Sequence, residues 1–502
     1  MDNKKIVMLP LDERPCNFDY PQMMPKTQFE LVLPPKSMMG KKKTPGDVQK
    51  ISQWLIDNVK DASAMILSLD TLVYGGILPS RLHHCQKEEL MERADLIKKL
   101  RELNPNMKLY VFGLIMRCPS YSSDDEEPDY YEKFGAEIHL YGRYTHLEKL
   151  GKLSDADSAD FERVKQIVGK AELEDYLNRR ELNLSVLLHA LDYVKDGIAD
   201  YFIVPQDDSA VYGYTSMDQM IVREYLKINT LHTKTAMYPS ADDTGLTLLA
   251  RSVAELSGNK PKIYVHYSST KGEYTIPQFE DRIVGETVKY HILSVNGIQV
   301  YSLPEADIVL CVNVGSAMLD PDDLGCVTAY DVERNLAEFV NYIKYSIDMN
   351  KLVAIADISR PNTADTELTQ ILQKENLLLG IHSYAGWNTS SNTTGTTLCQ
   401  AILYMIGKDE KGNQGFLAHR YYEDIGYMGY ARQYVTDNYL PDMGLDFRHA
   451  DAEDGKVASY VKETLANYMN QNYPEIAELV KDVKVKMPWI RMFEADIKLD
   501  MK

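Results

Sequence analysis

Two adjacent carboxylates, Asp207 and Asp208, follow a short apolar run in the stretch YFIVPQDDSAVYGY, residues 201–214. Adjacent like charges raise each other's pKa, which keeps one carboxyl protonated near neutral pH. Glycoside hydrolases need such a carboxyl to protonate the leaving oxygen of the bond they cleave. Taken alone, the pair also fits a turn or a helix cap. We favour the catalytic interpretation and predict that Asp207 and Asp208 are the catalytic residues.

Hydrogen-bonding side chains follow nearly every other short apolar run of the chain. Each of them taken singly fits a helix N-cap, because Asp, Ser, Asn and Thr are the preferred caps. Taken together, they predict a mouth lined by polar groups of both signs, which suits a polyhydroxylated ligand, and the aromatic members offer flat faces to sugar rings. The predicted substrate-binding residues are Asp12, Arg14, Asn17, Asp70, Tyr74, Arg81, Arg117, Asp242, Tyr267, Asp357, Arg360, Asn362, Trp387 and Asn388.

The elements that must position these side chains are short strands alternating with amphipathic helices. The runs are continuously apolar, as expected of parallel strands that are covered on both faces. Repeated βα units predict an α/β protein, and their number favours a (β/α)8 TIM-like barrel with insertions and one extra strand. Two Rossmann-like lobes are the alternative, and the eighth barrel strand is either 352–357 or 380–384. Strands are predicted at residues 5–9, 64–69, 108–115, 201–205, 235–239, 262–267, 307–313, 352–357 and 380–384.

Two segments interrupt or follow this alternation. A polar, acidic stretch at about 120–173, which begins with SSDDEEPDYYEKFG, predicts a helical insertion after the third strand. From about residue 408 the βα alternation is lost and helical periodicity remains. We therefore expect a catalytic barrel over 1–407 and a mostly helical C-terminal region over 408–502, packed on the barrel.

Composition limits the classes of function. The 502 residues carry 55 Lys and Arg against 74 Asp and Glu, a net charge of −19, which opposes a nucleic-acid partner. The six cysteines, Cys326 among them, form no C-x-x-C motif, which is typical of reduced thiols and not of a zinc site. With no signal-peptide core and no membrane-spanning run, we expect a soluble cytoplasmic protein without a membrane partner. No cofactor is predicted, although carboxylate clusters leave Mg²⁺ or Ca²⁺ as an alternative.

Four motifs together resemble a bacterial family of unknown function over essentially the whole chain. They are PLDERPCN, LSLDTLVYGGILPSR, VPQDD and MPWIRMFE. This resemblance implies no activity.

A more distant resemblance does imply an activity. The order of the strand-end motifs is similar to that of the O-GlcNAcase-type β-N-acetylglucosaminidases, which are (β/α)8 barrels whose fourth strand ends in two adjacent aspartates. The resemblance implies that Asp207 polarises the 2-acetamido group of the sugar and that Asp208 is the general acid/base. ADISRPNTAD resembles a sugar-binding motif of that family through Asp357 and Asn362, whereas DERPCN replaces its first-strand motif.

We therefore predict an enzyme, an intracellular glycoside hydrolase that acts on a small carbohydrate substrate. The more specific prediction is a β-N-acetylhexosaminidase that uses substrate assistance. One alternative is a metal-assisted hydrolase or lyase whose arginines, Arg14, Arg81, Arg117 and Arg360, clamp a small anionic substrate. The other alternative is a non-catalytic sugar-binding protein. Metal content separates the first alternative from the glycosidase, and ligand binding without turnover identifies the second.

Overall fold

A computed structural model describes residues 4–315 and 333–502 of the chain, so that Cys326 lies outside the described residues. The other five cysteines form no disulfide among the described residues. The strands are β1 (Lys4–Leu9), β2 (Phe29–Val32), β3 (Ala62–Ser68), β4 (Lys108–Phe112), β5 (Tyr201–Gln206), β6 (Thr235–Pro239), β7 (Lys262–Tyr267), β8 (Ile298–Val300), β9 (Ile308–Val314), β10 (Leu352–Ile358), β11 (Ser383–Ala385), β12 (Val480–Lys486) and β13 (Asp496–Met501).

Helices alternate with these strands, and one segment, Tyr421–Ala431, is π-helical. The α-helices are α1 (Pro15–Phe18), α2 (Tyr20–Met23), α3 (Val48–Asn58), α4 (Leu69–Tyr74), α5 (Ile77–Leu82), α6 (Lys87–Ala94), α7 (Leu96–Leu103), α8 (Tyr131–Lys149), α9 (Asp155–Ile167), α10 (Lys170–Lys195), α11 (Tyr214–Ile228), α12 (Thr244–Leu256), α13 (Val284–Ser294), α14 (Leu336–Asp348), α15 (Thr366–Lys374), α16 (Ser390–Gly407), α17 (Glu410–Arg420), α18 (Arg432–Asn438), α19 (Lys456–Asn472) and α20 (Pro474–Ala477).

The described residues divide into two compact units. The first unit comprises residues 4–13, 30–245 and 279–281, and the second comprises the described residues of 14–29, 246–278 and 282–502. Each unit contains one parallel sheet, so the prediction of an α/β protein with parallel strands is confirmed.

The sheet of the first unit has six strands in the order β2-β1-β3-β4-β5-β6. Strand β5 lies between β4 and β6 and pairs with both in parallel, with Val111 opposite Phe202 and Val204 opposite Met237. All six residues of β5 are buried, as are all five residues of β6. Parallel strands covered on both faces are continuously apolar, which is why the sequence pattern located them.

The sheet of the second unit has five strands in the order β11-β10-β9-β7-β8, and β12 pairs with β13 in a separate antiparallel ribbon. Both candidates for the eighth barrel strand are strands here, since β10 pairs with β11 from Ala354–Ser383 to Ala356–Ala385. A single apolar core joins this sheet to the C-terminal helices, for example through Ile355, Tyr421 and Leu465.

The prediction of one closed (β/α)8 barrel is wrong for the described residues. Their strands form two separate sheets, and β6, the last strand of the first sheet, pairs only with β5 there. Periodicity gives the number of βα units but not which edge strands pair, and the short edge strands β2 and β8 were not predicted at all. Two separate parallel sheets are instead what the alternative of two lobes requires.

Two further segments were expected to be helical. The insertion at about 120–173 contains α8 and α9, and α9 begins with a capping box in which Ser154 and Asp157 bond reciprocally. Residues 408–502 lie in the second unit and contain α17–α20, the π-helical segment and the β12–β13 ribbon. Among the described residues, no helix is long and apolar enough to span a bilayer.

Candidate active site

The carboxyl end of β5 delivers the two adjacent aspartates. The strand ends at Gln206, and Asp207 and Asp208 follow in a turn. Asp208 has a φ of 44°, in the left-handed region that non-glycine residues rarely adopt. Residues held in this way cluster at functional sites, because the surrounding structure must offset the backbone strain.

Two arginines hold the two aspartates. Arg81, from α5, donates from Nη2 to Asp207 Oδ2 at 2.7 Å. Arg117, from the segment after β4, donates from Nη1 to Asp208 Oδ2 at 3.1 Å. Both arginine side chains are buried, whereas the side chains of Asp207 and Asp208 are 17% and 25% exposed, so the carboxylates are the part of each pair that a ligand can reach.

Two glutamates of the acidic run after β4 complete the network. Glu126 Oε2 accepts from Arg81 Nη1 at 3.3 Å and from Arg117 Nη2 at 2.8 Å. Glu127 Oε1 accepts from Arg81 Nη1 at 3.2 Å and from Arg117 Nε at 2.7 Å. Burial disfavours the charge of Arg117, but the carboxylates of Glu126 and Glu127 hold its pKa above the usual value.

A small pocket, with room for about one water molecule, opens beside this network. Its polar lining comes from the carboxyl ends of β3, β4 and β5 and from α10, as expected where parallel strands end at one edge of a sheet. Within it, Asp70 accepts from the backbone N–H of Leu114 at 3.0 Å, and burial raises the pKa of Asp70 to about 6. The lining residues are Asp70, Ile77, Ser80, Arg81, Leu114, Ile115, Met116, Arg117, Asn183 and Asp207.

The environment of Asp207 favours its protonated form. Burial, followed by the neighbouring charge of Asp208, raises its pKa to about 6, and the nearby arginines only partly oppose this. Asp200, at the other end of the same strand, shows the contrast. Burial acts on Asp200 too, but hydrogen bonds from the backbone N–H of Leu109 and from Arg101 lower its pKa. A carboxyl whose pKa lies near neutrality can donate a proton and take it back.

The other predicted residues of the first unit are buried. Asp12 and Asp242 are 3% and 6% exposed, and the charge of Asp242 acts on Asp207. The ring of Tyr74 stacks on that of His83 with centroids 4.8 Å apart, so one of its faces is covered by the protein. The structure therefore brings Asp70, Arg81, Arg117 and Asp242 to the aspartate pair, and it packs Tyr74 within the unit.

Several predicted residues lie in the second unit, where they contact residues other than Asp207 and Asp208. The guanidinium carbon of Arg14 lies 4.9 Å from the ring centroid of Trp489, and its Nη1 atom lies 3.6 Å from Glu494 Oε2. Asn17 is buried in α1 beside Cys16. Tyr267 is half-buried at the end of β7, and burial raises the pKa of its hydroxyl.

The loops after β10 and β11 contain four more predicted residues. Arg360 is exposed, and the backbone N–H of Asn362 donates to the carbonyl of Asn388 at 2.8 Å. Asn362 and Asn388 both have left-handed backbones, with φ of 59° and 54°. Trp387 is 4% exposed and packs against Tyr20, so it does not present a free face for a sugar ring.

Asp357 is enclosed by the protein. Its Oδ1 atom accepts from the side chains of Asn313 at 2.9 Å and Ser359 at 3.3 Å. Its Oδ2 atom accepts from the backbone N–H of Asp365 at 2.7 Å and from the hydroxyl of Tyr384 at 2.9 Å. Burial and the charge of Asp365 raise its pKa to about 7. With 1% of its surface exposed, Asp357 orders the loop of the β10 end in this structure.

Sequence reasoning missed Glu126 and Glu127 as members of the site. The run SSDDEEPD reads as a solvated acidic segment, because nothing in its pattern shows that two of its carboxylates turn inward toward arginines. Ser80 and Asn183 line the pocket and were missed as well; Asn183 lies within the long helix α10, far in sequence from any strand end. No group of three or more His, Cys, Asp or Glu side chains among residues 4–315 and 333–502 is placed to hold a metal ion.

The fold and the site define an α/β protein with a carboxylate-lined pocket at the carboxyl edge of a parallel sheet. The chain belongs to the family described as "Protein of unknown function (DUF4127)", whose model matches residues 6–498. This confirms the resemblance to a family of unknown function that the four sequence motifs indicate. No curated protein and no solved structure matches the chain.

Proposed function

We propose that this protein is a glycoside hydrolase whose catalytic carboxyl groups are Asp207 and Asp208. One observation carries the proposal: two adjacent, partly exposed carboxyls follow β5, each paired with a buried arginine, and the pKa of Asp207 is raised to about 6. Cleavage of a glycosidic bond needs one protonated carboxyl at the leaving oxygen.

The environments of the two carboxyls suggest a different catalytic role for each. Asp207 favours its protonated form and serves as the proton donor. Asp208 is paired with Arg117 and serves as the carboxylate that orients the substrate. This order is the reverse of the one implied by the resemblance to the O-GlcNAcase-type enzymes, and it follows from the burial of Asp207.

The adjacency of the two carboxyls supports a substrate-assisted reaction. In ordinary retaining or inverting glycosidases the two carboxyls flank the sugar from opposite sides, separated by about 5 Å or more. Neighbours in sequence at one strand end do not have that arrangement. A 2-acetamido sugar supplies its own nucleophile, so a carboxylate beside the proton donor is needed only to steady the acetamido N–H. We therefore propose a β-N-acetylhexosaminide as the substrate, acted on in the cytoplasm, where reduced thiols such as those of this chain persist.

The test is turnover of a panel of aryl N-acetylhexosaminides by the wild type and by Asp207→Asn and Asp208→Asn. We expect both variants to lose at least about 100-fold in kcat/KM, the usual contribution of a general acid. Asp200→Asn is the matched control, because Asp200 is paired with Arg101 at 2.6 Å at the amino end of the same strand. Rates that are equal for the wild type and all three variants would exclude the assignment.

The alternative of a small anionic substrate has less support from the contacts. Arg81 and Arg117 are already bonded to four carboxylates, and an anionic ligand would have to displace one of them. A glycoside needs no such exchange.

A further inference from the structure

Each arginine of the site divides its N–H groups between two kinds of partner. Arg81 uses Nη2 for Asp207 and Nη1 for the two glutamates. Arg117 uses Nη1 for Asp208, Nε for Glu127 and Nη2 for Glu126. Glu126 and Glu127 therefore contact both guanidinium groups, and each aspartate contacts one. Because a guanidinium is a rigid, planar fork, fixing two of its nitrogens fixes the direction in which the third points.

Glu127 is buried more deeply than the role of an acidic surface residue would explain. It is 0% exposed, and its Oε2 atom has no hydrogen-bond partner among the described residues. Burying a carboxylate that is incompletely hydrogen-bonded costs free energy. Apolar side chains of similar volume often stabilise a fold as well as a whole buried network of ion pairs does. The position of Glu127 between two arginines that reach the catalytic pair gives a different reason for its charge.

We propose that Glu126 and Glu127 are positioning residues for the Asp207–Asp208 pair, which act by holding the guanidinium groups of Arg81 and Arg117. The inference rests on the proposed function for its catalytic meaning, but the electrostatic effect it describes does not depend on turnover. The two glutamates share the positive charge of the arginines with the aspartates, so less of it is available to ionise Asp207. They thereby help to keep the pKa of Asp207 above the usual value of an aspartate.

The charged groups around Asp207 come from several elements. Asp208 lies beside it, Arg81 comes from α5, Arg117 follows β4, and Asp242 follows β6. Asp70, from α4, lines the same pocket. Neutralising one glutamate removes a negative charge and a competing acceptor from this group while leaving the others in place. Both effects favour the ionised form of Asp207, so its pKa should fall, by about one unit for a neighbouring charge of this kind.

The first measurement follows the titration of Asp207 without any substrate. A carboxyl with a raised folded-state pKa loses its contribution to stability as the pH rises through that value. Asp207→Asn should therefore gain stability relative to the wild type between pH 4 and about 6, measured as the difference in Tm. This difference in Tm between Asp207→Asn and its parent should stop growing, and reach a plateau, once the pH exceeds the pKa of Asp207. When the parent protein carries Glu127→Gln or Glu126→Gln, the plateau should begin about one pH unit lower.

Asp129→Asn provides the control, because Asp129 lies in the same acidic run but its side chain is 97% exposed. It should leave the plateau where it is. An unchanged plateau in both glutamate variants would overturn the proposal. If Glu127→Gln does not fold, Glu126→Gln decides the question, since Glu126 contacts the same two arginines and its side chain is 19% exposed.

The second measurement is the pH profile of kcat/KM on an aryl glycoside. The alkaline limb reports the proton donor, so it should move down by about one pH unit in the glutamate variants, with about a tenfold loss of rate at pH 7. A glutamate with a purely structural role would lower the rate without moving the limb, and that result would also overturn the proposal. A wild type without glycosidase activity would refute the proposed function alone, because the Tm titration would still decide the role of the glutamates.

Discussion

Replacement of Arg420 by methionine tests how strongly buried charges stabilise the second unit. Arg420 is fully buried at the end of α17 and pairs with Asp424 and, at 3.4 Å, with Glu423. Its guanidinium carbon lies 4.7 Å from the ring centroid of Tyr20, whose hydroxyl donates to Glu423 at 2.6 Å. Methionine keeps most of the side-chain volume and removes the charge, so the two carboxyls lose their cation while the packing changes little.

The expected loss of stability is large because the carboxyls cannot reach water. Glu423 and Asp424 are 2% and 0% exposed. Removing one partner of a buried ion pair costs about 3–5 kcal/mol, since the remaining charge stays desolvated and unpaired. That is a large part of the roughly 5–15 kcal/mol that stabilises a typical domain.

The loss should also depend on pH. In the wild type, burial already raises the pKa of Glu423 to about 7, although Arg420 opposes the shift. Such a group contributes stability that is fully present below its unfolded pKa and is lost as the pH rises through about 7. Without Arg420 both carboxyls should hold their protons still more tightly. The cost should therefore be greater at pH 8 than at pH 5.5 by at least about 1.4 kcal/mol, the equivalent of one pKa unit.

The assay is urea unfolding followed by tryptophan fluorescence, at pH 5.5 and pH 8. Trp387 is a suitable reporter, because its ring centroid lies 5.4 Å from the Arg420 guanidinium. Arg163→Met is the control, since Arg163 is paired with Asp160 at 2.7 Å but is half exposed, and exposed pairs contribute little. A shift of the unfolding midpoint no larger than that of Arg163→Met, or equal at both pH values, would refute the reasoning.

Three further substitutions test a buried carboxyl and the packing around two glycines. Burial raises the pKa of Asp70 from 3.8 to about 6, so its contribution to stability is lost as the pH rises through that range. Asp70→Asn should remove about 2 kcal/mol of the fall in unfolding free energy between pH 4 and pH 7, and parallel curves for the two proteins would contradict this. A Cβ atom on Gly142 would lie 2.4 Å from the ring of Tyr214, so Gly142→Ala should lower stability by about 1–3 kcal/mol. A Cβ atom on Gly415, inside α17, would meet no other atom within 4 Å, so Gly415→Ala should raise stability by about 0.5–1 kcal/mol. Thermal unfolding of the two glycine variants measures both effects. A gain in stability at both sites would show that contact with Tyr214 does not restrict residue 142.

The strands were the most predictable part of this fold. β6 and β7 begin and end at the residues predicted for them, because each is a short apolar run that charged or polar residues bound on at least one side. The pairing of the strands was not predictable, since nothing in the apolar run of β1 shows that β2 pairs beside it and that β3 lies on its other side. A barrel and two open sheets contain the same βα units.

The grouping of candidate residues in space was predictable where it follows from strand ends and not where it follows from packing. Asp207, Asp208 and Arg117 were expected to lie together because parallel strands present their carboxyl ends at one edge, and their catalytic role stays a prediction. Glu127 was missed because its burial depends on arginines that are 46 and 10 residues away in sequence. Trp387 was predicted to be a sugar platform, but its environment depends on Tyr20 and Arg420, which no local pattern brings to it.

An aspartate paired with an arginine lies just beyond each end of strand β5. The distance between these two aspartates determines how strongly the charge of one acts on the other. Seven residue steps at about 3.3 Å each place Asp200 and Asp207 roughly 23 Å apart. At physiological ionic strength the screening length is about 8 Å, so neither carboxylate should respond to neutralisation of the other. At about 10 mM salt the screening length grows to about 30 Å and exceeds the strand. The ionic strength of the buffer therefore decides whether the two ends of one strand behave as independent charges or as a coupled pair.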